Sequence, residues 1–508
     1  MDSLGTISYE LRGRDTSMEL LDKKFTKKEE RPIKVIQFGE GNFLRAFADY
    51  MIDIANEKTD FNGNIVLIKP IEFGNLETFH NQDCQYTVSL RGNVNGEAAV
   101  LNRQITSVAD AVDSYTEYGK YMGLAEIETL RFVVSNTTEA GIVYDDSDKF
   151  EYNPPKTFPG KLTKFLYHRF ETFGGDMSKG LVMLPVELID DNGIMLKKCV
   201  MQLIELWELG DDFQNWVNEA CIFTSTLVDR IVTGYPRATE AEEWEKLGYE
   251  DRIMVTGEPF ALWVIESEKD IRGELPLDQA MADMTGMDVI FTDNQKPYKQ
   301  RKVRILNGAH TSFVLAAFLA GKDIVRDSMQ DDDIRNFMLK TIYEEVIPTL
   351  TLPEEELRAF AGEVVNRFNN PYVDHALLAI SLNSVSKWRA RCMPSFLGYV
   401  EKQGKLPVHL TFSLAALMAF YTGTEIRGKA LIGNRAGQEY NIMDDMPVLE
   451  FFRDNCQKET REFVTVFLGC EDFFGQDLNQ VAGLADAVTA YLDDIKANGM
   501  RAALCKIS

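Results

Sequence analysis

The stretch IKVIQFGEGNFLRAFADYMID, residues 33–53, decides the fold. A short apolar run stops at Gly39-Glu40-Gly41, and apolar residues then resume at helical spacing, which reads as a strand, a tight turn and a helix. Glycine at 39 and 41 lets the chain turn sharply and brings backbone N–H groups close to a pyrophosphate, whose charge the start of a helix favours. Leu44 stands where the usual G-x-G-x-x-G has its third glycine. A plain turn explains G-x-G alone equally well; the strand and helix on either side point instead to a dinucleotide site. Gly39, Gly41, Asn42 and Phe43 are its candidate contacts.

Further along, GNIVLIKP (63–70), LRFVVSNTTEAGI (130–142), GLVMLPVELI (180–189) and ACIFTSTLVDRIV (220–232) each contain a β-branched run. EYGKYMGLAEIE (117–128) and GIMLKKCVMQLIELWELG (193–210) have helical spacing between them, and YEDRIMVTGEPFALWVIE (249–266) reads as a further sheet segment. Strands alternating with helices predict a parallel sheet covered on both faces, a Rossmann-type α/β domain over residues 1–295 with a polar leader at 1–30. From 296 to 508 long helical patterns take over: DIRNFMLKTIYEEVIPTL, PEEELRAFAGEVVNRF, HLTFSLAALMAFYTG, REFVTVFLGCEDFFG and VAGLADAVTAYLDDIKA. The second domain is expected to be mostly α-helical, without internal repeats.

The cofactor's ribose should meet an acidic residue at the end of the second strand, but IVLIK ends in Lys69-Pro70, with Glu72 two residues later. Lys69 suits a 2′-phosphate, so these residues leave NAD and NADP both open. Thr137 and Thr138, at the end of the third candidate strand, are small hydroxyl residues where ribose and pyrophosphate pass; Thr138 also reads as an ordinary helix cap.

The 508 residues carry a formal net charge of −25, which disfavours nucleic acid and anionic membranes in the absence of a basic patch. Seven cysteines, odd in number and never in C-x-x-C, suit reduced thiols. The charged start MDSLGTISYELRGRD lacks the apolar core of a secretory signal, and LTFSLAALMAFY (410–421) is too short to span a bilayer. A soluble, cytoplasmic protein is expected, for which the glycosylation pattern Asn136-Thr137-Thr138 has no meaning. Five histidines and no paired cysteines supply no zinc ligand set, so no metal is expected.

One segment combines costly polar groups with an apolar run: KVRILNGAH (302–310) followed by TSFVLAAFLAG. In a single α-helix advancing about 100° per residue, Lys302, Asn307 and His310 fall within about 140° of one another and can face one cleft. Interconversion of a carbonyl and a secondary alcohol needs a proton donor at oxygen and a partner for developing negative charge. A lysine lowered from its reference pKa of about 10.4 by burial, and an asparagine amide, are suited to these roles. The bland alternative is a solvated lysine, a helix interruption at Asn-Gly and a satisfied core histidine.

Lys302-x4-Asn307-x2-His310 resembles the K-x4-N-x2-H signature of the mannitol dehydrogenase family of polyol and sugar-acid dehydrogenases, and GEGNFLRAF is similar to its cofactor loop. STLVDRIVTGYP (225–236), RFNNP (367–371) and SVSKW (384–388) extend the resemblance over nearly the whole chain. VSNTTEAGI, LPVELIDDNG and NSVSKWRAR look most like its sugar-acid branch. The resemblance implies a Rossmann-type domain, a helical domain, NAD without a metal, and reversible reduction of D-tagaturonate to D-altronate in hexuronate catabolism. It makes Lys302 the general acid in reduction and base in oxidation, Asn307 the oxyanion donor and His310 a substrate-positioning residue. Two positions depart from mannitol-type members: Glu187-Leu188 replaces an Asp-Asn pair, leaving Asn192 as a substitute oxyanion donor, and Ser225 replaces an asparagine.

A sugar acid carries a carboxylate, for which Lys387, with Arg391 behind it, is the first candidate cation; both also read as a solvated helix face. Asp229 and Arg230 are expected to form a structural ion pair, and His80 and His375 have no evident partner motif. The competing functions are fructuronate reduction, mannitol-type polyol oxidation and, in a different class, a non-redox nucleotide-binding protein or an isomerase with tightly bound NAD.

Overall fold

The structure is a computed structural model and describes residues 18–94, 96–137 and 141–508. Up to residue 292 the strands run, in chain order, β1 (Ile33–Phe38), β2 (Asn64–Lys69), β3 (Tyr86–Val94), β4 (Glu97–Ile105), β5 (Val108–Asp113), β6 (Phe132–Ser135), β7 (Val182–Pro185), β8 (Ile222–Phe223), β9 (Ser225–Asp229), β10 (Val232–Gly234), β11 (Val255–Gly257), β12 (Ala261–Glu266) and β13 (Met287–Thr292). Six form one sheet in the order β5-β2-β1-β6-β7-β8, every neighbouring pair parallel. This is the doubly wound order of a dinucleotide-binding sheet, whose direction of winding reverses between β1 and β6.

The alternation in the sequence becomes two cores. Val35, Leu67, Val134 and Leu184 point to one face, where they pack with the helix Ala48–Lys58. Ile36, Ile68, Val133 and Met183 point to the other, against the helices Phe158–Thr172 and Asn192–Leu206. Full burial of each such side chain contributes about 1.5–3 kcal/mol, so both faces resist exposure.

The run 220–232, read from sequence as one strand, is split among three sheets. β8 edges the main sheet, β9 pairs antiparallel with β12, and β10 pairs antiparallel with β11. The breaks fall at Thr224, whose hydroxyl donates to the Met183 carbonyl, and at the Asp229-Arg230 corner. Likewise, 249–266 is divided between β11 and β12, and the β3–β4 hairpin was not foreseen, although the sequence carries Asn-Gly between its two strands.

From Lys296 onward helices dominate, and each of the five helical patterns contains a helix. The helices Gly308–Leu319 and Val408–Phe420 are apolar all round and sit in the centre of this core. An antiparallel three-stranded sheet over 426–442, unforeseen in the sequence, is inserted among the helices. Among the described residues no helix is long and apolar enough to cross a membrane.

Candidate active site

Lys302–Asn307 is not α-helical. The six residues wind as a π-helix between the helices Lys296–Arg301 and Gly308–Leu319. The i→i+5 pattern takes about one more residue per turn than an α-helix, and such turns concentrate at functional sites. The looser winding brings Asn307, five residues after Lys302, closer to the same side of the helix than the about 140° of separation that α geometry dictates.

A cavity of about 270 Å³ opens where this segment meets β9 and the end of the helix Glu354–Phe368. Lys302, Asn307 and His310 all line it, together with Asp229, Glu258, Arg367 and His375. The Lys302 ammonium donates to the Val228 carbonyl at 2.7 Å and lies 3.9 Å from Asp229 Oδ1. Burial pushes its pKa below the usual lysine value, Asp229 opposes this, and Arg367 pushes it down further.

Arg367 organises the acidic side of the cavity. Its guanidinium donates to both oxygens of Asp229 at 3.0 and 3.1 Å and to both oxygens of Glu258 at 3.0 and 2.8 Å, with its plane over the Phe260 ring. Burial works against the Arg367 charge, but the two carboxylates outweigh it and raise its pKa. Burial likewise opposes ionisation of Asp229, yet Arg367 and Lys302 hold that carboxyl below its ordinary value. Glu258 is pushed up by burial in spite of Arg367. Asp229 and Arg230 are not partners, contrary to the expectation: Arg230 turns away to the carbonyls of Ala46, Pro259 and Phe260.

His310 stacks on Phe368 with ring centres 4.2 Å apart and meets His375 edge-on at 5.4 Å. Its Nε2 is buried and unpaired within the described residues. Burial drives its pKa far below the usual histidine value, with His375, Arg367, Arg391 and Lys387 adding to the effect, so the imidazole is neutral. An unpartnered ring nitrogen on a cavity wall is suited to a ligand hydroxyl.

Lys387 and Arg391, on the helix Ser384–Arg391, stand behind His310 and do not border the cavity. Lys387 donates to the Ile380 carbonyl at 2.8 Å, and Arg391 reaches Thr311 Oγ1 at 3.4 Å. His375 does border it, although no motif marked this residue; its only signal in the sequence is proximity to RFNNP.

At the other side of the junction, the glycine turn leaves β1 at the reversal point of the sheet. Gly39 N–H donates to the Ile68 carbonyl, and Asn136 N–H to the Phe38 carbonyl, tying the ends of β2 and β6 to it. Gly39 has φ +115°, and a Cβ there would stand 3.3 Å from the Asn136 carbonyl oxygen, so glycine is required. A Cβ at Gly41 would point into open space, leaving room for a pyrophosphate against the turn. Asn42 borders the same turn, whereas Phe43 is half-buried and stacks on Phe47 at 4.9 Å. Leu44, in place of the third glycine, is buried in the core. Thr137 donates through its N–H and hydroxyl to Glu187, which also accepts from Ser135; Thr138 lies outside the described residues.

Two sequence expectations fail here. Lys69 cannot meet a 2′-phosphate, because it is fully buried and its ammonium is held by Asp113 at 3.1 Å and by the carbonyls of Ile71 and Phe73. Asn192 is no oxyanion donor: its amide nitrogen donates to the carbonyls of Pro185, Glu187 and Thr226, and its oxygen accepts from Gly193 and Thr226. It is a structural tie between β7 and β9.

A second cavity, about 280 Å³, is lined by Glu187–Asp191, Thr226–Val228, Gln295, Lys296 and Lys299. An open cleft of about 790 Å³ includes Lys34 and Phe132 at the starting ends of β1 and β6. That is the wrong end of a doubly wound sheet for its ligand, which binds beyond the carboxyl ends of the strands. No group of His, Cys, Asp and Glu able to hold a metal ion occurs among the described residues.

Residues 33–279 match the mannitol dehydrogenase Rossmann domain, and residues 294–496 the mannitol dehydrogenase C-terminal domain. The chain belongs to the mannitol dehydrogenase family. It is 44% identical to the altronate oxidoreductase of Bacteroides thetaiotaomicron over 95% of this chain and 98% of the relative. The altronate oxidoreductase of Yersinia enterocolitica is 45% identical over 97% of this chain and all of the relative. Two solved structures share the family fold at about 20% identity and 96% coverage of this chain. One is D-sorbitol dehydrogenase in substrate-free form, 19% identical, TM-score 0.75, all of that chain being covered. The other is Pseudomonas fluorescens mannitol 2-dehydrogenase with NAD and D-mannitol, 20% identical, TM-score 0.63, with 99% of that chain covered.

Proposed function

We propose that this chain is an NAD-dependent oxidoreductase that reversibly reduces D-tagaturonate to D-altronate, the sugar acid occupying the cavity around Lys302. The observation that carries the reading is the convergence of Lys302, Asn307 and His310 on one cavity at the junction of the sheet and the helical portion. Full-length similarity to altronate oxidoreductases selects the sugar-acid class. The division of labour falls at residues 295 and 296, between the dinucleotide-binding and catalytic units.

When bound, the reduced nicotinamide supplies the hydride. Gly39, Gly41 and Asn42 border the place for the pyrophosphate, with Phe43 supporting the turn and Thr137 beside the ribose. In reduction Lys302 gives its proton to the carbonyl oxygen as that oxygen gains charge, and in oxidation the neutral amine takes it back from the hydroxyl. The lowering of the lysine pKa by burial eases release of its proton in reduction and makes the neutral amine that oxidation needs more accessible. Asn307 donates its amide to the developing oxyanion, and His310 Nε2 engages a neighbouring hydroxyl. Lys387 and Arg391 give the wall behind His310 a positive potential for the substrate carboxylate, because Arg367 is already committed to two acids. A cytoplasmic site is part of the proposal, supported by seven free thiols.

Initial rates with tagaturonate, fructuronate and fructose, each with NADH and with NADPH, test the assignment. Tagaturonate with NADH is expected to give the highest kcat/KM. Preference for fructose would move the chain to polyol chemistry, and absence of net NADH consumption with every substrate would refute a dehydrogenase.

A further inference from the structure

Two consecutive carbonyls of the glycine turn are tied from the protein interior. Gln37 Nε2 donates to the Gly39 carbonyl at 3.1 Å, and Arg45 Nε donates to the Glu40 carbonyl at 3.0 Å. In a trans peptide the C=O and the following N–H point in opposite directions. Anchoring these two oxygens inward therefore turns the N–H groups of Glu40 and Gly41 away from the interior, toward the open space beside Gly41. Arg45 Nη2 also donates to Asn42 Oδ1 at 2.7 Å, and Nη1 donates to the Ile253 carbonyl.

Arg45 is itself an unusual residue for such a place. It is 6% exposed, lies between the rings of Phe79 and Tyr86, and its direct hydrogen-bond partners are neutral. Burial lowers its pKa, offset by the more distant charges of Asp251, Asp49 and Glu40 and by Tyr86. A buried cation without a contact ion pair is costly, and an anion on the far side of the turn compensates it.

We propose that Arg45, assisted by Gln37, is the positioning residue that presets the glycine turn for the cofactor's pyrophosphate. The proposal rests on the reading of this turn as the cofactor site. Arg45 touches no substrate; it acts by fixing the direction of two peptide groups and by placing positive charge behind them.

The test measures binding. NADH titration by fluorescence gives Kd, and competition with ADP and with adenosine separates phosphate recognition from recognition of the nucleoside. Arg45→Met is expected to raise Kd for NADH and Ki for ADP about tenfold or more while leaving Ki for adenosine in place. The kcat at saturating NADH should stay within about twofold, as for lost uniform binding. Arg45→Lys should fall between, because an ammonium still reaches the Glu40 carbonyl but cannot hold Asn42 as well; it decides the matter if the methionine variant fails to fold. Gln37→Met should reproduce the ADP effect more weakly. Equal losses for ADP and adenosine, or no loss in either Arg45 variant, overturn the proposal. Gly41→Asp places a carboxylate in open space on the turn. If that variant binds NADH normally, the site reading fails; if it blocks NADH while Arg45 variants bind normally, only the positioning role fails.

Discussion

Replacing Asp229 by asparagine keeps the shape of the side chain and removes the negative charge that stands 3.9 Å from the Lys302 ammonium. Coulomb's law at that separation with an effective dielectric of about 20 gives about 4 kcal/mol, or about three pK units, as the upper limit of what Asp229 does for the protonated lysine. Arg367 remains anchored by Glu258 and then acts on Lys302 without half of its neutralising partners, which reinforces the downward shift. Water entering the cavity screens part of this, so a fall of at least about one unit is expected. Reduction needs the protonated lysine, so the alkaline limb of kcat/KM for the keto acid should move to lower pH. Oxidation needs the neutral amine, so its acidic limb should move in the same direction by the same amount. The assay is the pair of pH profiles, with NADH affinity and near-UV circular dichroism confirming an intact fold. Limbs that stay in place, or move oppositely in the two directions, would refute Lys302 as the group that exchanges the proton.

Lys302→Ala should lose about 10²–10⁴-fold in turnover while retaining its NADH dissociation constant; single-turnover rates and a binding titration separate the two. Lys387→Ala and Arg391→Ala, which remove positive charge from behind the cavity wall rather than a direct contact, should each raise KM for the keto acid severalfold, more at low than at high ionic strength, with little change in KM for NADH; steady-state kinetics at two salt concentrations decide this. Lys69→Met should lower the melting temperature, because it leaves Asp113 and two loop carbonyls without their buried partner, yet it should not change the NADH to NADPH preference. His310 is neutral in the folded state while an unfolded histidine protonates below about pH 6.5. It therefore costs stability as pH falls through that value, by at most about 1.4 kcal/mol per unit. His310→Phe, which can keep the stack on Phe368, should flatten the decline of melting temperature between pH 6.5 and 5.

Much of the sheet was legible because burial on both faces forces near-continuous apolar strands, and β1, β2, β6 and β7 carry that signal. The three-way division of 220–232 was not, since a residue run records only that its side chains are buried, and Thr224 and the Asp229-Arg230 corner change sheets without a glycine or proline. In the candidate site, the types and spacing of Lys302, Asn307 and His310 were plain, but their angular relation followed from an assumed α-helix. The π-winding that brings Asn307 closer to the side of Lys302 left no mark in the hydrophobic pattern. Lys69 was misread because a lysine at a strand end is ordinarily solvated, and only the loop folding back over it shows otherwise.

From residue order alone come the doubly wound α/β class, the glycine turn, the helical second half and the grouping of Lys302, Asn307 and His310 in one short segment, because each depends on contacts between near neighbours along the chain. Tertiary structure alone decided that Arg367 clamps Asp229, 138 residues earlier, and Glu258, 109 residues earlier. It likewise decided that His375 faces the cavity and that Arg45 and Gln37 hold the turn from within. Those arrangements set charges by distance and burial, and neither quantity exists until the sheet and the helical half close on each other.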